Sequence, residues 1–121
     1  MHSQGGAFGF KVAEKRPDKF KAIVAIESAT AGIVANAPAL KNVPVLMVFG
    51  DHVDEHPRWA TFKKIDLAYA DAIRIAGGKV DVVHLPEIGI KGNSHMLMMD
   101  KNNAQTADLI HKWLTDKSLV D

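Results

Sequence analysis

Three short apolar runs stand out along the chain: Lys21–Glu27 (KAIVAIE), Val43–Phe49 (VPVLMVF) and Val80–Leu85 (VDVVHL). Each has the length of a buried strand, and the second is almost continuously apolar, as a strand covered on both faces is. Helical spacing fills the intervals. Phe8–Lys15 reads as a helix stopped by Pro17. Trp59, Phe62, Ile65, Tyr69, Ala72, Ile73 and Ala76 recur at three- and four-residue steps before a Gly77-Gly78 stop. Ala107, Ile110, Trp113 and Leu114 form a last stripe, with Asp100 as a candidate helix cap and Asn103 in the first turn. Ala29–Asn42, rich in small residues, reads as a long loop with a helical turn. The order helix, strand, loop, strand, helix, strand, loop, helix predicts an α/β fold of three parallel strands flanked by helices.

Composition narrows the picture further. At 121 residues the chain has the size of a single domain, residues 1–121, without repeats or low-complexity tracts. A net charge of +1 gives no concentrated positive face for nucleic acid or for an anionic membrane. The absence of cysteine excludes a disulfide scaffold, a thiolate zinc site and a cysteine nucleophile. No apolar run reaches the length of a membrane span, and the opening MHSQGGAFGF lacks the features of a signal peptide; the compartment stays open.

The chemistry-bearing residues cluster at predicted strand ends and loops. Ser3, in His2-Ser3-Gln4-Gly5-Gly6, directly precedes a predicted helix. A nucleophilic serine needs such a tight turn, small neighbours, and a helix N-terminus whose N–H groups can receive an oxyanion. Gly5 meets half of the G-x-S-x-G requirement; Met1 stands at the other glycine position. Taken alone, the segment reads first as a Ser/Gly helix cap. His95, in the loop Gly89–His95 after the third strand, is placed as a general base is in an open α/β sheet, and the other five histidines are less well placed. Two acids compete to orient it: Glu27 at the end of the first strand and Asp51 after Gly50. The run Asp51–His56 also contains histidine and carboxylate at metal-ligand spacing. Pro57 disfavours the helical geometry that would pair His52 with His56, so the run reads as a solvated acidic loop capping the next helix, with no metal assigned.

Together, His2–Gly6, the strand ending in Glu27, Pro44–Trp59 and Gly92–Asn103 resemble the α/β-hydrolase superfamily, in particular a bacterial serine-esterase branch whose triad acid is a glutamate after the sixth strand. The likeness covers nearly the whole chain and implies the C-terminal half of that fold. It implies Ser3 as nucleophile, His95 as general base, Glu27 as the acid, and the backbone N–H of Gln4 as an oxyanion donor, in the order Ser–acid–His that the fold uses. In most relatives the acid lies three residues beyond the glycine ending the seventh strand; from Gly50 that position is Val53, which favours Glu27 over Asp51, kept as the alternative acid. The implied function is hydrolysis of a small-molecule carboxylic ester without a cofactor. The first five strands and the second oxyanion donor are expected outside this chain, which leaves Lys21–Glu27 at an open sheet edge. That edge, or the face of Trp59 and Phe62, offers a homodimer contact, and a non-catalytic binding or dimerising module is the alternative reading.

Overall fold

A computed structural model describes residues 1–121. Its principal elements are α1 (Gln4–Lys15), β1 (Ile23–Ile26), β2 (Val45–Phe49), α2 (Pro57–Ile75), β3 (Val80–His84) and α3 (Asn103–Asp116). The three strands form one parallel sheet in the order β1-β2-β3, with Ile23 opposite Val45 and Val45 opposite Val80. The β1–β2 crossover contains a 3₁₀ segment, Val34–Leu40, inside the stretch expected to be a loop. No helix is long and apolar enough to cross a membrane.

All five residues of β2 are buried, as its unbroken apolar sequence requires. Side chains alternate across a strand, so β2 feeds two cores. Val45, Met47 and Phe49 join Phe10 of α1 and Tyr69 and Ile73 of α2 on one side. Leu46 and Val48 join Leu85 and Leu97 on the other, against Ile110 and Trp113 of α3. Glu14 ties the first layer together, accepting from the Tyr69 hydroxyl at 2.8 Å and the Ile33 N–H at 2.9 Å.

Three expectations are corrected. The first helix begins at Gln4, not Phe8; its opening turn contains Gly5 and Gly6, which add nothing to an apolar stripe. Asp100 does not cap the last helix, whose N-cap position is Asn102; Asp100 instead accepts from Ser94. The outer edge of β1 is not open along its length. Ile23 and Glu27 donate inward to Pro44 and Val48, so Val24 and Ile26 present their groups outward. Met1–Ser3 meets them: Met1 O accepts from Ile26 N–H, Ser3 N–H donates to Ile26 O, and the Met1 amine donates to Val24 O.

Candidate active site

The site is built where β1, β2 and the loop after β3 end on the same side of the sheet. Ser3 sits between the segment paired with β1 and the first residue of α1, at φ 52° and ψ −130°. A non-glycine residue at positive φ is costly, about 1–3 kcal/mol, and persists only where its surroundings fix it. Here they do. Ser3 N–H is held by Ile26 O, and Ser3 O accepts from the N–H groups of Gly6 and Ala29. Gly6 makes the close approach possible: it is buried, and a Cβ there would lie 2.1 Å from Ser28 Oγ. As the first residue of α1, Gln4 has an N–H with no acceptor inside the helix.

Glu27 follows β1 at φ 38°, a left-handed backbone that ends the strand. Its side chain, 4% exposed, is held at both oxygens. Oε1 accepts from Gly50 N–H at 2.8 Å, and Oε2 lies 2.6 Å from His95 Nδ1. A carboxylate at that distance fixes the proton on Nδ1 and leaves Nε2 as the basic nitrogen. His95 Nε2 is buried and has no hydrogen-bond partner.

Asp51, the competing acid, reaches a different target. Its oxygens accept from the N–H groups of Gly92 at 2.9 Å and Asn93 at 3.1 Å, so it grips the start of the histidine loop and leaves the imidazole to Glu27. The same loop is knit internally. Asn93 and Asn102 exchange side-chain amide hydrogen bonds, and Asp100 accepts from Ser94 N–H and Ser94 Oγ. The Ser94 hydroxyl is the main reason that the Asp100 carboxyl titrates below its usual range. In the acidic run after β2, His56 Nδ1 accepts from Arg58 N–H as the N-cap of α2, and His52 pairs with Glu55.

The structure therefore joins Glu27 to His95 directly. It does not join Ser3 to His95 by a hydrogen bond, and the two are brought near through shared neighbours. The His95 ring lies 4.0 Å from the Trp59 ring and 4.6 Å from that of His2, between ring centroids. Trp59 also lines a cavity of about 340 Å³ with Ser3, Gln4, Ala29, Arg58 and Phe62. Trp59 and Phe62, expected as a dimer face, thus wall the space beside the serine. His2, set aside among the less well placed histidines, has its Nε2 2.8 Å from the His95 carbonyl oxygen. Its position next to Ser3 was the only sequence signal of that contact.

No family model matches the chain. The chain is similar to a probable secreted lipase, phiG, of a fungal species: 28% identity over 160 residues, taking in 93% of this chain and 44% of the lipase. It is also similar to a solved bacterial esterase, at TM-score 0.90 and 44% identity over 95% of this chain and 36% of the other. It spans less than half the length of either relative. Three parallel strands flanked by helices, superposing this well on part of that esterase, give the chain an esterase-like α/β fold consistent with the C-terminal half of an α/β-hydrolase.

Proposed function

We propose that the chain carries a serine-hydrolase site for carboxylic esters, with Ser3 as nucleophile, His95 as general base and Glu27 as the acid that orients it. The observation that supports this most is the pairing of an unspent, buried His95 Nε2 with Nδ1 held by Glu27, beside the cavity that Ser3 lines. The similarity to an esterase and a lipase supports the same class of substrate.

In this reading Ser3 Oγ attacks the ester carbonyl carbon as its proton passes to His95 Nε2. The carbonyl oxygen becomes an oxyanion and accepts from Gln4 N–H, a donor already aimed by the helix start. The tetrahedral adduct collapses, the C–O bond to the alcohol breaks, and Nε2 returns the proton to the departing oxygen. Water, deprotonated by the same nitrogen, then releases the acid from Ser3. Throughout, Glu27 keeps the proton on Nδ1 and stabilises the imidazolium, and no cofactor enters. Trp59 and Phe62 give the cavity an apolar wall for the acyl or alcohol group.

Hydrolysis of p-nitrophenyl esters by the full chain tests the reading. Ser3→Ala should abolish turnover above the uncatalysed rate while leaving the far-UV spectrum unchanged. Turnover that survives Ser3→Ala refutes it.

A further inference from the structure

We propose that His2 is a positioning residue for His95: it clamps the histidine loop to the turn that carries Ser3. The inference rests on the triad reading above and adds a device that sets the geometry of that triad.

The contact is direct. His2 Nε2 lies 2.8 Å from the backbone oxygen of His95, across 93 residues of sequence. A carbonyl only accepts, so His2 Nε2 carries a proton and donates it. His2 is itself fixed, bridged in parallel to Ile26 and flanked by the Met1 and Ser3 hydrogen bonds to the same residue. The donor therefore stands on backbone braced by β1.

The other anchors of the loop act on neighbours of His95. Asp51 holds the N–H groups of Gly92 and Asn93, and Asp100 holds Ser94. After His95, Met96 N–H donates to Ser94 Oγ and a short 3₁₀ turn, Leu97–Met99, begins. Only His2 grips the peptide of His95 itself. Because His2 and Ser3 are consecutive, one stretch of backbone fixes both the hydroxyl and the loop that bears the base. A misplacement on the order of 1 Å at such a pair costs roughly 10²-fold in rate. His2 makes no hydrogen bond to a reacting atom; its ring packs beside that of His95 and its Nε2 bonds the His95 carbonyl, so it acts through His95.

The test uses the full chain with His2→Ala and His2→Gln, the second retaining an N–H donor. Two readouts are taken. In nitrogen-15 NMR of the unmodified chain, His2 should show the proton on Nε2, and the hydrogen-bonded Nδ1 proton of His95 should give a resolved downfield signal. That signal should broaden or vanish in His2→Ala and return in His2→Gln. In ester hydrolysis, His2→Ala should lower kcat by roughly 10-fold to 10²-fold with KM nearly unchanged, and His2→Gln should recover most of the loss. A proton found on Nδ1 of His2 with Nε2 bare overturns the proposal. So does a His95 signal, or a kcat, that His2→Ala leaves unaltered, or a His2→Gln chain that folds but is as impaired as His2→Ala. If His2→Ala does not fold, the tautomer of the unmodified chain and the His2→Gln variant decide. Failure of the triad reading is seen separately, as turnover that persists in Ser3→Ala; the NMR readout of His2 does not depend on it.

Discussion

At Gly6 an added methyl would collide with the chain: a Cβ there would lie 2.1 Å from Ser28 Oγ and 2.7 Å from Ser28 Cβ. A Cβ on Gly5 would meet nothing within 4 Å. Gly6→Ala should therefore cost about 1–3 kcal/mol of stability through overpacking. Gly5→Ala, in an open helical position, should be neutral or stabilising by up to about 1 kcal/mol. Urea unfolding midpoints of the two variants check this, and equal midpoints would contradict it. The glycine weighed in the sequence motif is thus not the one that packing demands. The two acids separate in the same way. Glu27 meets the imidazole and Asp51 meets backbone, so Glu27→Gln should lower kcat by about 10²-fold to 10⁴-fold with little change in KM. Asp51→Asn, which keeps an acceptor oxygen, should cost less than about tenfold. The reverse order in steady-state kinetics would move the acid to the end of β2. Glu27 and His95 are legible in sequence because strand ends and post-strand loops collect ligands in this architecture. The task of Asp51 is not, since its partners are backbone N–H groups of Gly92 and Asn93, and no side-chain pattern announces them.

Among the elements, α2 departs most from its own periodicity. The apolar stripe puts Ile65 inward, yet Ile65 is 39% exposed and Asp66 is fully buried. Neither carboxylate oxygen of Asp66 has a hydrogen-bond partner. Burial pushes its carboxyl from an ordinary 3.8 up to about 7; the backbone N–H of Ala31, which makes no hydrogen bond to it, offsets this only in part. The sign follows from linkage. A carboxyl raised by folding is protonated more readily in the native chain, so its contribution is fullest below pH 3.8 and is lost as pH rises through about 7. Within that window each pH unit removes at most about 1.4 kcal/mol. Asp66→Asn should raise stability at pH 8 and flatten the pH profile between 4 and 7, measured by thermal unfolding across pH. A variant less stable at pH 8 than the parent would show that the ionised carboxylate has a favourable partner. Periodicity finds α2 because most of its stripe is apolar; it misses the inward Asp66 because a polar residue on the buried side leaves no trace in an apolar count. β2 is the opposite case, since its unbroken apolar run and its burial on both faces are one physical fact.

For the whole molecule, the two cores on either side of the sheet explain how a chain of 121 residues orders a site from segments near residues 3, 27 and 95. β1 remains the edge strand of the sheet, but Met1–Ser3 covers part of that edge through a single bridge at Ile26, which leaves a shorter stretch for pairing than expected. Phe8 and Val12, one turn apart on α1, are 61% and 54% exposed and give an apolar patch of helical spacing. The double change Phe8→Glu, Val12→Lys should therefore shift any oligomer towards monomer in size-exclusion chromatography. A profile that does not move would exclude this face as the contact. The pairing of Met1–Ser3 with β1 is invisible in sequence because three residues are too few for an alternation pattern.

A fluorophosphonate probe on the full chain, with peptide mapping by mass spectrometry, asks whether Ser3 is the nucleophile of a triad with His95 and Glu27. One adduct is expected, on the peptide that contains Ser3, absent in Ser3→Ala and formed more slowly in Glu27→Gln. An adduct that persists in Ser3→Ala, or that maps to another residue, would contradict it.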